Sequence, residues 1–223
     1  MLTLYIGNRN YSSWSLRAWL LMRQAGIEFE ERMVRFSDPE FAAKIARLGA
    51  PPRVPVLVDD GFVVWDSIAI AEYLAERFPQ AGIWPAEQRW RARARSVCAE
   101  MHAGFAALRK SLPMNIEAHL PEVGASVSAE VLRELERLVT MWGELRSAHA
   151  GGGRFLFGNF CAADAFYAPV VARLATYEIS VPGQIRDYME AIMDLEGMRE
   201  WCDAARAEHD FLPEEEPYRK APD

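Results

Sequence analysis

Cysteine is scarce in this sequence: Cys98, Cys161 and Cys202 are the only three in 223 residues. They are far apart, and no two stand as CxxC, which argues against a zinc ribbon and a disulfide framework. Reduced thiols fit a cytoplasmic compartment. The four histidines, His102, His119, His149 and His209, make no HExxH or HxxxH pattern, so no metal is expected. Positive charge is short as well. Against 32 Asp and Glu stand 25 Lys and Arg, a net charge of −7, the opposite of what phosphate neutralisation needs; no nucleic-acid partner is expected. Long apolar runs are missing too. No uncharged stretch reaches the length of a membrane span, and the opening MLTLYIGNRN lacks the basic-then-apolar order of a signal peptide. No membrane partner is expected, and the location expected is the cytoplasm.

What the chain does have is 51% hydrophobic residues, enough to bury a core in one large domain or two modest ones. Leu2 to Ile6 reads as a buried strand, and Trp14 to Ala25 as a helix closed by Gly26. Ile27 to Phe36 reads as a second strand, and Pro39 to Leu48 as a short helix with Asp38 as its N-cap. Val54 to Val58 and Phe62 to Trp65 flank Asp59-Asp60-Gly61, a hairpin signal, and Ser67 to Phe78 is helical. The order β-α-β-α-β-β-α implies a mixed four-stranded sheet with helices on its faces. Beyond Pro79 only helical patterns follow, near 88–112, 126–149, 162–177, 184–195 and 197–208. The expected organisation is residues 1–79 as an α/β domain, 80–87 as a linker, 88–212 as an all-helical domain and 213–223 as a loosely ordered tail.

Three segments could carry chemistry. Pro55 heads a strand in Arg53-Val54-Pro55-Val56-Leu57. An ordinary trans proline suits a strand start; a cis bond would turn the backbone of Val54 outward, ready to pair with an extended peptide ligand. Asp66 and Ser67 open the helix at 67. Capping alone explains them, but free N–H groups and a positive dipole end also bind carboxylates, and Asp66 suits an ammonium, so an α-amino acid end fits the pair. Tyr11-Ser12-Ser13-Trp14-Ser15 opens the first helix. Ser12 or Ser13 caps it, or donates a hydrogen bond to a thiolate, an anion that helix N-termini stabilise. No His or Asp close in sequence could act as a base for a serine nucleophile, and no nucleophile elbow is present, so a serine hydrolase is not supported.

The serine loop, RVPVL and WDSIAIAEYL, in that order and spacing, resemble the thioredoxin-like N-terminal domain of the glutathione transferase superfamily, and the helical remainder resembles its C-terminal domain. The resemblance implies an α/β thioredoxin-like domain followed by an all-α domain, glutathione as co-substrate without a metal, and a homodimer. It implies Val54-Pro55 as the family's cis-proline and Asp66-Ser67 as its γ-glutamyl pair, with Arg53 near the glycine end. Ser12 falls where the serine-type classes place their activating serine; Ser13 is the alternative. SSWSLR is similar to the zeta-class motif, but Trp14 stands where that class has cysteine, and Cys161 stands where the family usually has Ser or Thr before Asp164.

The implied activity is glutathione transfer to a small apolar electrophile held near Tyr11, Trp14, Met101 and Phe105. The alternatives are a maleylacetoacetate isomerase-like enzyme and a non-catalytic glutathione-fold binding protein. Other features read as structural. Cys98 and His102 read as core, Gly151-Gly152-Gly153 as a turn, alternating Arg89 to Arg95 as a solvated face, and Glu214-Glu215-Glu216 as a solvated run.

Overall fold

The computed structural model describes residues 1–219. Its centre is β1 (Leu2–Ile6), in which Leu2, Leu4 and Ile6 point into the core while Thr3 and Tyr5 lie on the other face, as the two-residue period of a strand dictates. α1 (Ser13–Gln24) follows, and Gly26, at φ 66°, turns the chain out of it. β2 (Glu30–Met33) returns parallel to β1, with Leu4 opposite Glu31. This strand is shorter than the expected 27–36, because Ile27 and Phe29 pack into the core before pairing starts. α2 (Phe41–Ala46) begins later than expected. Asp38 is therefore not its N-cap; its carboxylate accepts the Glu40 N–H at 2.8 Å and pairs with Lys44.

β3 (Val56–Asp59) and β4 (Phe62–Val64) form the hairpin. Asp60 and Gly61 both have positive φ, 46° and 90°, as a two-residue turn matching strand twist demands. The sheet order is β2-β1-β3-β4, mixed, with β3 antiparallel to both neighbours. α3 (Ser67–Arg77) closes this layer.

From Gln88 onward the regular elements are helical: α4 (Gln88–Ala103), α5 (Ala106–Ser111), α6 (Pro121–Gly124), α7 (Ala129–Ala148), α8 (Ala162–Thr176), α9 (Gly183–Met193) and α10 (Glu196–Arg206). The single helix expected over 88–112 is two. Gly104 ends α4, and Phe105 takes a left-handed conformation, φ 54°, that buries its ring. α8 is buried on every side, packed on α1 and α4. Asp164 caps it, accepting the N–H of Cys161 at 2.9 Å and of Leu156 at 3.0 Å.

The tail also departs from expectation. Pro213–Glu215 forms a 3-10 turn, Glu216 is buried against Tyr11 and Arg219, and the Tyr218 hydroxyl donates to the Ser111 carbonyl at 2.7 Å. Residues 220–223 of the expected tail lie outside the described residues. Among the described residues no helix is long and apolar enough to cross a membrane.

Candidate functional site

A cavity of about 880 Å³ opens between the carboxyl end of the sheet and the α4–α5 junction. Three local structures aim backbone and side chains into it. The first is the start of α1. Ser12 is its N-cap, and its hydroxyl accepts the Ser15 N–H at 3.4 Å. The Ser12 and Ser15 hydroxyl oxygens are 2.7 Å apart, and Ser15 also accepts the Gly7 N–H at 3.1 Å. Ser13, the next residue, lines the cavity, and its hydroxyl has no hydrogen-bond partner among the described residues. With no acidic residue in the first turn, the positive end of the helix is left uncompensated.

The second is the loop before β3. The Val54–Pro55 bond is cis. Val54 and Pro55 line the cavity, and the N–H and C=O of Val54 take no part in the backbone hydrogen bonds of the described residues. Arg53 stands exposed at the same edge.

The third is the start of α3. Asp66 caps it, accepting the Ile68 N–H at 3.1 Å. Its other carboxylate oxygen lies 3.3 Å from Nε2 of His102. Ser67 is 1% exposed, lines the cavity, and its hydroxyl oxygen has no partner. A buried orphan hydroxyl costs free energy unless something accepts from it, so its position at a helix N-terminus fits a carboxylate ligand. Val54 offers the donor and acceptor an extended peptide needs, and Asp66 remains half exposed to meet an ammonium. The residues present therefore fit a γ-glutamyl peptide such as glutathione.

Trp14, in the first turn of α1, also lines the cavity; its ring is edge-on to His102 at 4.9 Å and lies under the guanidinium of Arg109 at 5.1 Å. Tyr11 also lines the cavity, but its hydroxyl donates to Glu216. Burial, and then that hydrogen bond, push its pKa up, so Tyr11 is not a donor available to a thiolate. Two expected pocket residues are elsewhere. Met101 is fully buried in the core, and Phe105, at the start of α5, is buried too and does not line the cavity. His102, Ala106 and Arg109 line the wall instead. His102 is therefore a site residue rather than the core histidine expected from its pairing with Cys98, which is itself fully buried. Adjacent helical residues project about 100° apart, and a pattern spread over α4 could not choose between them. Among the described residues no group of three or more His, Cys, Asp or Glu could hold a metal ion.

Comparison with known proteins is consistent with this geometry. Residues 11–77 match the glutathione S-transferase N-terminal domain family. A probable maleylacetoacetate isomerase of Caenorhabditis elegans is 30% identical over 102 residues, 46% of this chain and 47% of that protein; the match thus spans about half of that relative's length. A stringent starvation protein A homologue of Coxiella burnetii is 26% identical over 82% of this chain and 80% of its own. A glutathione transferase homologue from Burkholderia gl BGR1, solved with bound glutathione, superimposes with a TM-score of 0.71 at 26% identity, covering 92% of this chain and 98% of that one.

Proposed function

We propose, from the match of residues 11–77 to the glutathione S-transferase N-terminal domain family and the fold the chain shares with a glutathione transferase homologue, that this protein is a glutathione transferase that activates the thiol with a serine hydroxyl. The γ-glutamyl carboxylate meets the Ser67 hydroxyl and the start of α3, its ammonium meets Asp66, and the cysteinyl backbone pairs with Val54. The sulfur then lies at the start of α1. No local base is needed. The Ser12 hydroxyl donates to Ser15 Oγ at 2.7 Å; rotation about its Cβ–Oγ bond turns that proton toward the sulfur, and the Ser15 hydroxyl can then donate to Ser12 in its place. That hydrogen bond and the helix terminus both favour the anion over the thiol. The thiolate attacks an electrophile between Trp14 and the α4–α5 wall. Holding both reactants in one cavity removes much of the entropic barrier.

The observation that carries this reading is the convergence of an orphan hydroxyl at Ser67, an open backbone at Val54 and a serine-capped helix start in one cavity. Calorimetry with glutathione and turnover of 1-chloro-2,4-dinitrobenzene test it. Binding with turnover is the expected result; no heat of binding and no turnover would remove the reading. Binding without turnover of any electrophile would favour a non-catalytic glutathione-fold protein, an alternative that the broad match to the Coxiella burnetii protein keeps in view. An isomerase is the other alternative, since the same thiolate can add to and leave a double bond, and one relative bears that name. Location in the cytoplasm and pairing with a second copy belong to the same proposal. The exposed ring of Phe62, tilted against Tyr73 at 5.8 Å, supports an apolar contact there. Sedimentation equilibrium reads the pairing, and a monomer at micromolar concentration would remove it.

A further inference from the structure

The wall of the cavity that faces the start of α1 is cationic in a protein whose net charge is −7. Arg173, on α8, is 5% exposed and lines the cavity. Its Nε donates to the Leu112 carbonyl at 2.8 Å and its Nη1 to the Pro169 carbonyl at 3.1 Å, so neutral oxygens satisfy only part of its fork. Arg109, on α5, lines the cavity too and donates only to the carbonyls of His102 and Gly104. Arg17, 1% exposed, lies behind Trp14 with its guanidinium 4.2 Å from that ring, and its Nε and Nη1 have no partner. Lys110 completes the rim. None of these four forms an ion pair among the described residues, although eleven other arginines do.

Among the described residues, two acids line the same cavity. Asp66 is engaged by His102 at the far end. Glu215 comes near Arg173 without ion-pair contact, and burial and Glu214 raise its pKa, which weakens it as a counter-ion. The cations also oppose one another. Burial first, and then Arg173 and Arg109, pull the pKa of Arg17 down to about 9; burial and Arg109 pull that of Arg173 down to about 10. Buried cations are ordinarily paired. Arg109 and Arg173 reach the cavity from two different helices without an ion pair, with Arg17 unpaired behind Trp14; that leaves a place for a carboxylate, and a guanidinium fork matches one in geometry.

We propose that the electrophile carries a carboxylate, seated against Arg173 and Arg109 with its apolar body on Trp14. This rests on the transferase reading and narrows its substrate class from a plain apolar electrophile to an anionic one. The aromatic and apolar lining of Trp14, Phe36, Phe41 and Met114 suits the body, and the cations suit the charged end.

The test uses one matched pair of probes, 4-chloro-3,5-dinitrobenzoate and its methyl ester. Both react alike: the thiol loses its proton to solvent, the thiolate forms a C–S bond at the chlorinated carbon, and chloride leaves with the C–Cl electron pair. Each kcat/KM is divided by the uncatalysed rate constant. The acid is expected to exceed the ester by at least tenfold in the wild type, and Arg109→Gln is expected to reduce that ratio by about tenfold. Arg173→Gln tests the deeper contact, with Arg173→Lys as the variant that keeps the charge should the first not fold. A second readout needs no turnover: calorimetry of 3,5-dinitrobenzoate against 3,5-dinitrobenzamide, with S-methylglutathione present. Tighter binding of the acid, weakened in Arg109→Gln, supports the carboxylate seat even if no reaction is catalysed. An acid-to-ester ratio of one or less, together with equal binding of acid and amide, overturns it. Loss of glutathione binding alone would count against the transferase reading and not against the seat.

Discussion

At the scale of single residues, the account turns on small hydroxyl groups. Ser67 gives the cleanest separation of binding from stability. Its hydroxyl has no partner in the protein, so Ser67→Ala removes an unsatisfied group and is expected to leave the melting temperature unchanged or raised. The same change deletes a hydrogen bond to a charged ligand group, worth roughly 1.5–3 kcal/mol, so glutathione affinity should fall by at least tenfold in calorimetry. A variant that melts lower and binds as well as wild type would show that Ser67 serves the fold alone. Ser15 acts differently, as a positioning residue for Ser12. Ser15→Ala strands the Gly7 N–H, at about 1–3 kcal/mol, and is expected to move the pH–rate profile toward alkali. A loss of stability with no movement of that profile would confine Ser15 to structure. The polar residues at helix starts were legible in the sequence, since capping rules place Ser12, Ser13, Asp66 and Ser67 without any tertiary knowledge. His102, Arg109 and Arg173 were not, because each reaches the cavity only through the packing of a distant helix. Their sequence neighbours carry no motif.

Among the elements, regular periodicity was read well and interruptions poorly. The Asp60-Gly61 turn, the parallel return of β2 and the helical remainder all follow from local chemistry. The break between α4 and α5 does not. Gly104 alone is tolerated in a helix, and the left-handed turn at Phe105 accompanies burial of its side chain in the main core, a tertiary cause. α8 presents the sharpest energetic claim. Asp164 is wholly buried, and its carboxylate satisfies two buried N–H groups, those of Leu156 and Cys161. Burial pushes its pKa up to about 6 against the pull of those bonds. Asp164→Ala leaves both donors unpaired, and at about 1–3 kcal/mol each the expected loss is roughly 2–6 kcal/mol in urea unfolding. A loss below 1 kcal/mol would mean water or a backbone shift replaces the carboxylate. Because α8 carries Arg173 and lies against α1, a variant that folds should also lose activity through displacement of both walls of the cavity.

Across the whole molecule, the loop before α1 is held by the helical half. Asn10 donates to Asn115 at 3.0 Å and accepts from the Glu117 N–H at 2.9 Å; Trp201 donates to the Arg9 carbonyl at 3.0 Å; Glu208 accepts the Arg9 N–H at 2.8 Å. The serine proposed to meet the sulfur is thus positioned by contacts more than one hundred residues away in sequence, which is why the sequence offers the serine as a candidate and not its support. The same close packing buries all three free cysteines. Burial raises Cys98 and Cys161 well above the usual thiol range and Cys202 to about 11. A disulfide reagent at pH 8 is therefore expected to react negligibly with the native protein and with three thiols once it is unfolded. A fast-reacting native thiol would contradict the packing described. The most direct test of the account as a whole is the ultraviolet titration of the thiolate of bound glutathione. The account expects its pKa to lie about two units below that of the free peptide, roughly 2.7 kcal/mol in favour of the anion, and to rise most of the way back in Ser12→Ala. Superimposable titration curves for wild type, Ser12→Ala and Ser13→Ala would contradict it.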